Sequence, residues 1–161
     1  MLDKKTHKTQ KTAALTRWHS NKITLAHRWI DDEATQKQRR MVQGAIHLCE
    51  LGENVGSEQN KKRPVLIISN NNINKNNTNV VVIPLSSKLA TKTNKKGTVI
   101  PRYSTHYFLK KSKYTFLDSD SSVKTEHIAT VSKVRLDAFL GKIDQDDIDK
   151  VSIRLKTLFD I

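Results

Sequence analysis

Arg63 is the side chain that this sequence places best for chemistry. It follows the polar and basic stretch Val55-Gly56-Ser57-Glu58-Gln59-Asn60-Lys61-Lys62 and precedes Pro64-Val65-Leu66-Ile67-Ile68. Proline lacks an N–H and suits the first residue of a strand, and Val65 to Ile68 is the continuous apolar run of a strand buried on both faces. Such a strand aims the guanidinium rigidly, and a guanidinium makes forked, charge-assisted hydrogen bonds to phosphate oxygens. Its pKa above ~12 makes it a poor general base. Gly56-Ser57 permits a positive backbone angle in the turn and a close approach to substrate. Glu58 has three readings here: orienting Arg63, accepting from a base, or capping the backbone of its own turn. His127 is of the residue type best suited to move protons near neutral pH, whereas His47 reads as structural.

Several chemistries are disfavoured. No His/Asp/Glu cluster has metal-site spacing and no glycine loop of the phosphate-cradling kind occurs, so neither a metal nor a cofactor is expected. Cys49 is the only cysteine, which rules out an internal disulfide; flanked by Leu48 and Leu51, it reads as a small core residue. No apolar run approaches the ~20 residues of a membrane span, and the lysine-rich start lacks the apolar core of a signal peptide. The expectation is a cytoplasmic protein with no membrane partner. A net charge of +13 and a pI near 9.9 favour a polyanion, either nucleic acid or an acidic protein segment. Lys61, Lys62, Lys88, Lys92, Lys95 and Lys96 lie in the loops flanking the strands proposed to carry the site.

The elements that must position these groups follow from the patterning. The length of 161 residues suits one domain plus an extension. Charge is uneven: residues 1–43 hold ten Lys or Arg against four acids, a net +6. The composition changes near Gly44, so residues 1–41 are read as a basic arm and 42–161 as the main domain. Met1 to Lys11 is too polar to bury anything and is expected to be disordered. Beyond it Leu15, Trp18, Lys22, Leu25 and Trp29 share one helical face, as one helix or as two with Ser20 as an N-cap. Strands are expected over Val42 to Leu48, Val65 to Ile68, Val80 to Leu85, Thr98 to Ile100, Tyr107 to Leu109 and Val123 to Val131, with Tyr114 to Leu117 a further candidate. The asparagine-rich Asn70 to Asn79 reads as a hairpin connection. Asp144 to Phe159 is an amphipathic helix with Ile148, Val151, Leu155 and Leu158 at helical spacing and acids in its first turn.

From Val42 onward the chain resembles the MazF/PemK family of toxin endoribonucleases from type II toxin-antitoxin pairs. Four segments carry the likeness. Gly44-Ala45-Ile46-His47-Leu48 is similar to the family's opening strand, with Ala45 in place of its usual acid. The Gly56-Ser57-Glu58-Gln59 turn followed by Arg63-Pro64 is the hallmark. Val80-Val81-Val82-Ile83-Pro84-Leu85-Ser86-Ser87 matches the strand that ends on the family's active-site hydroxyl, which falls on Ser86. Glu126-His127-Ile128-Ala129-Thr130-Val131 with Arg135-Leu136 resembles the final block, where His127 and Ala129 replace the usual glutamine and arginine. The segment from Arg102 to Ser121 is longer than usual for the family.

The resemblance implies a mainly β fold, an SH3-like β-barrel with a C-terminal helix, to which this chain adds an N-terminal helical arm. It implies a homodimer with a groove between subunits and a cognate antitoxin whose tail fills that groove. The implied activity is metal-independent cleavage of single-stranded RNA, chiefly messenger RNA. Arg63 and Ser86 would be catalytic, and Glu58, Gln59, Lys61, Lys62, Ser87, Lys88, Glu126 and His127 would contact substrate. Two rival readings stay open. One is a CcdB-like toxin on the same barrel that acts by binding a protein such as gyrase; those end in Trp-Gly-Ile, whereas this chain ends Leu158-Phe159-Asp160-Ile161. The other is a degenerate nucleic-acid-binding member.

Overall fold

The structure, a computed structural model, describes residues 3–161. Its frame is antiparallel. Strands β1 (Ala45–Glu50), β2 (Lys62–Ile67), β3 (Asn79–Ser86), β6 (His106–Leu109), β7 (Ser121–Lys124), β8 (Ala129–Ser132) and β9 (Leu136–Lys142) form one seven-stranded sheet in the order β6-β7-β3-β2-β1-β9, with β8 also paired to β3. A separate hairpin joins β4 (Thr91–Thr93) to β5 (Val99–Pro101). The sheet curls because β3 changes partners along its length. Residues 79–82 pair with β8, and Leu85 and Ser86 pair with β7. Among the described residues no ladder joins β6 to β9.

The apolar run after Arg63 does what its composition dictates. Alternate side chains of β2 enter opposite layers: Leu66 joins Ile46, Ile83, Val123 and Ile148, while Val65 and Ile67 join Cys49, Val80, Val82 and Leu136. Each fully buried aliphatic side chain contributes about 1.5–3 kcal/mol relative to exposure. The first layer is covered by helix α4 (Gln145–Phe159), which buries Ile148 and Val151. Asp144 caps it, accepting from the Asp147 N–H at 3.0 Å. Cys49 is a core residue, as its neighbours imply, and burial pushes its thiol up to about 12.

Asp147 is buried in the first turn of α4 and accepts from the Tyr107 and Tyr114 hydroxyls, each at 2.5 Å, and from Lys113 at 2.9 Å. Burial works to raise its pKa, yet these donors outweigh it and hold the carboxyl below its ordinary value. The network explains why Tyr114 to Leu117 is a turn, buried at Tyr114 and Leu117, rather than a strand: the Tyr114 ring must turn inward to reach Asp147.

Four further differences from the sequence reading have local causes. The asparagine run contains a short helix, α3 (Asn71–Asn76), because the Asn70 side chain caps it by accepting from Ile73 N–H at 2.9 Å. The stretch 123–131 is not one strand; a 3-10 turn at Thr125–His127 separates β7 from β8. Strand β9 was not anticipated, since its alternation is masked by Phe139, exposed on the outer face, and by Gly141. Helix α1 (Lys4–Asp31) is continuous through Ser20 and begins well before Thr12, so the expectation of disorder fails for residues 4–11; Met1 and Leu2 lie outside the described residues.

Helix α1 starts at Asp3, whose carboxylate accepts from Thr6 N–H at 2.9 Å, and it fully buries none of its own side chains. The arm is held to the domain at separate points. The Arg135 guanidinium lies 5.6 Å from the Trp18 ring, and Arg28 donates to the Val134 carbonyl. Beyond α1, helix α2 (Glu33–Gln38) is joined by Lys133, wholly buried, whose ammonium donates to the Lys37 carbonyl at 3.1 Å. Arg39 donates to the Lys133 carbonyl at 2.7 Å.

Candidate active site

Arg63 stands second in β2, where Pro64 and the buried run fix the backbone. Its Nε donates to the Asn60 carbonyl at 2.8 Å and its Nη1 to the Gln59 side-chain oxygen. Two of the five guanidinium N–H groups are thereby spent on holding it, and three are left for a ligand. Both anchors come from the β1–β2 loop, residues 51–61, in which Gly56 takes φ 61° as the turn requires.

A cavity of about 610 Å³ opens beside this guanidinium. It is lined by Glu58, Gln59 and Arg63 from one side and by Ser86, Ser87 and Lys88 from the end of β3. The β2–β3 ladder pairs Val65 with Pro84; continued two residues, that register sets Arg63 opposite Ser86. The Ser86 hydroxyl accepts from Lys88 N–H at 3.2 Å, which orients its proton away from that bond and toward any acceptor in the cavity. The segment Phe116 to Ser119 and Lys124 complete the lining. Sequence reasoning did not find these wall residues. Their only signal was the extra length between Arg102 and Ser121.

The predicted site residues thus divide. Arg63, Ser86, Glu58, Gln59, Ser87 and Lys88 converge on one cavity. Glu58 takes the turn-capping role, accepting from Val55 N–H at 3.3 Å, and it is Gln59 that orients Arg63. Lys61 and Lys62 fall elsewhere. Successive side chains of a strand point to opposite faces, so Lys62, next to Arg63, ion-pairs with Asp137 instead. Together with Lys61 it lines a different cavity, under α1, shared with Arg17 and Trp18.

Glu126 and His127 line a third cavity, of about 480 Å³, which meets the first at Glu58 and Gln59. Glu126 accepts from His106 Nε2 at 2.7 Å. Burial raises its pKa, but its own backbone N–H and His106 outweigh that and hold the carboxyl low. His127 is shifted down, chiefly by burial and further by Lys124, His106 and Arg63, against a smaller opposing pull from Glu126. Its imidazole is therefore neutral at neutral pH and able to accept a proton. His47, by contrast, has Nδ1 3.2 Å from the Asp137 carbonyl and its ring against Phe139, a packing role.

Among the described residues one acidic cluster has metal-like proximity, Asp144, Asp146 and Asp147, with carboxylate oxygens within 4.8 Å of one another. It sits at the start of α4, away from the Arg63 cavity, and each of its carboxylates is ion-paired with Lys113 or Lys150. Among the same residues no helix is long and apolar enough to cross a membrane.

A curled antiparallel sheet with a C-terminal helix packed on it is a fold shared with solved toxins. MazF from Deinococcus radiodurans superposes with a TM-score of 0.59 at 18% identity, covering 76% of this chain and 99% of that one. An endoribonuclease from a mycobacterial species, solved in complex with its cognate antitoxin, gives 0.55 at 22% identity over 75% and 96%. These likenesses define the fold. In sequence, an endoribonuclease MazF of Staphylococcus saprophyticus is 34% identical over 112 residues, 70% of this chain and 85% of that protein. The family described as "PemK-like, MazF-like toxin of type II toxin-antitoxin system" matches residues 42–159. The chain belongs to this PemK/MazF toxin family, and the match begins where the N-terminal helices end.

Proposed function

We propose that the protein is the toxin of a type II toxin-antitoxin pair, an endoribonuclease that cuts single-stranded RNA, chiefly messenger RNA, in the cytoplasm, and so halts translation and growth. It works as a homodimer and is restrained by a cognate antitoxin. Family membership supports the activity class. The observation that carries the site is the Arg63 guanidinium, gripped by Gln59 and Asn60 yet with three donors free, on the same cavity as Ser86.

The chemistry needs no metal. The substrate's own 2′-oxygen attacks phosphorus and loses its proton, the bond from phosphorus to the 5′-oxygen breaks, and that oxygen takes up a proton. The products are a 2′,3′-cyclic phosphate and a 5′-hydroxyl. Negative charge gathers on the non-bridging oxygens of the phosphorane, where preorganised donors act most strongly. Arg63 supplies the forked cationic contact and Ser86 a further hydrogen bond to the same phosphate. Neutral His127 lines the adjoining cavity, which shares Glu58 and Gln59 with this one, and is the group assigned to accept the 2′-hydroxyl proton. Lys88 and Lys124 in the lining hold flanking phosphates, which makes affinity fall steeply with salt.

The test is to incubate the protein with a transcript in excess chelator and map the new ends, beside a copy carrying a 2′-deoxy sugar at the cut position. Cyclic phosphate ends from the first and no cut in the second are expected. Cleavage of the deoxy copy, or an absolute need for added metal, would overturn the mechanism.

A further inference from the structure

We propose that Lys11, on the N-terminal helix, is a positioning residue for Arg63, so that the arm outside the family match sets the catalytic geometry from behind. The inference rests on reading Arg63 as catalytic.

A continuous chain of polar contacts joins the two residues. The Lys11 ammonium meets the Glu53 carboxylate at 2.6 Å and donates to the Asn54 carbonyl. The Asn54 side-chain amide donates to the Gln59 carbonyl at 2.7 Å, and the Gln59 side-chain oxygen receives Arg63 Nη1. Each link is between neighbours in space: the first ties α1 to the β1–β2 loop, the Asn54–Gln59 bond lies inside that loop, and the last ties the loop to Arg63 in β2. The helix also holds the base of that loop. Gly52 takes φ +99°, and an added Cβ there would come within 2.7 Å of the Trp18 ring. Lys61 N–H closes the loop onto the Gly52 carbonyl at 2.5 Å.

The arrangement makes the positive charge of Lys11 hard to remove. The Glu53 side chain is only 11% exposed, so without Lys11 a nearly buried carboxylate loses its countercharge and must seek water. Moving Glu53 moves Asn54, whose carbonyl loses its donor and whose amide then leaves Gln59. Lys11 itself lines the cavity under α1, not the one beside Arg63, so its influence on the reacting phosphate passes through the loop. A basic residue that merely attracted RNA would act on binding; one that fixes the guanidinium acts on the transition state.

The experiment uses full-length wild type, Lys11→Met, Lys11→Arg and Arg63→Ala on one transcript that the wild type cuts. Lys11→Met should lower kcat about tenfold with KM changed by no more than about twofold, the scale on which a small misplacement of a catalytic group acts. Lys11→Arg should restore most of the loss, and in Lys11→Met amide exchange should quicken over residues 53–60 while the rest of the barrel keeps its protection. If Lys11→Met does not fold, Asn54→Ala cuts the same chain inside the loop and should give the same split. Wild-type kcat in Lys11→Met, or a rise in KM alone, overturns the positioning role while an inactive Arg63→Ala leaves the site intact. An Arg63→Ala protein as active as wild type removes the reading beneath it.

Discussion

The β2–β3 core and the N-terminal helix hold their places by opposite means. Every residue from Val65 to Ile68 is buried, whereas α1, 28 residues long, buries no side chain fully and leaves even Lys11, Trp18 and Trp29 half-buried. The core is fixed by apolar area, which is non-directional and tolerant of small changes. The helix is fixed by a few directional attachments, at Lys11, Trp18 and Arg28. Removing apolar area therefore threatens the fold, while removing an attachment frees a segment and leaves the fold standing. The candidate site sits where the two regimes meet: Arg63 takes its backbone from the core and its side-chain orientation from the loop that the helix grips.

This contrast can be broken most severely from the core side. Asp147→Ala, which leaves the Tyr107 and Tyr114 hydroxyls without their acceptor and removes one of the two carboxylate partners of Lys113, should cost about 2–3 kcal/mol and be read as a large fall in the urea midpoint. The same group sets a pH dependence. Its folded pKa lies below its unfolded value, so its stabilisation is present above the unfolded pKa of about 4 and is lost as pH falls through the folded pKa. Acid titration of the Asp147→Asn variant should lack that component of the wild-type loss.

A smaller effect is expected at the junction. Gln59→Ala removes the acceptor of Arg63 Nη1 and should lower kcat about tenfold with little change in Tm. His127 gives a pH signature there. Because its pKa is lowered, the acid limb of the rate profile should fall below pH 6.5, and His127→Ala should lower the rate and flatten that limb. An unchanged profile would take His127 out of the proton transfer.

On the arm side Trp18→Ala should cost only about 1 kcal/mol of global stability while exposing α1 to protease, since one ring face on Arg135 is lost but no core layer opens. The smallest effect is at Cys49. With its thiol buried and pushed up to about 12, it should resist maleimide in the folded protein and react only on unfolding.

How much of this was readable in the sequence follows the same division. The Val65 to Ile68 and Val80 to Leu85 runs and the spacing of α4 announce themselves because burial demands apolar residues at fixed periods. Arg63 and Ser86 were legible since each sits at the end of such a run. The contacts that orient Arg63 were not. Gln59 and Glu58 are adjacent polar residues in one turn, and only the turn's three-dimensional path decides that Glu58 caps it while Gln59 meets the guanidinium. Lys62 looked like a substrate contact because it adjoins Arg63, yet strand alternation turns it to Asp137. Lys11 was read as part of a polar tail; its partners lie 42 and 43 residues away, a separation that no local pattern encodes.

The central claim is that the Arg63 guanidinium stabilises charge on the scissile phosphate. Its most direct test is the single-turnover cleavage rate of Arg63→Ala against wild type in chelator, with RNA saturating both proteins. Removing one such donor should cost about 10²–10³-fold in the rate of the chemical step while the RNA stays bound. A variant that cuts within a few-fold of wild type, giving the same ends, would contradict the assignment.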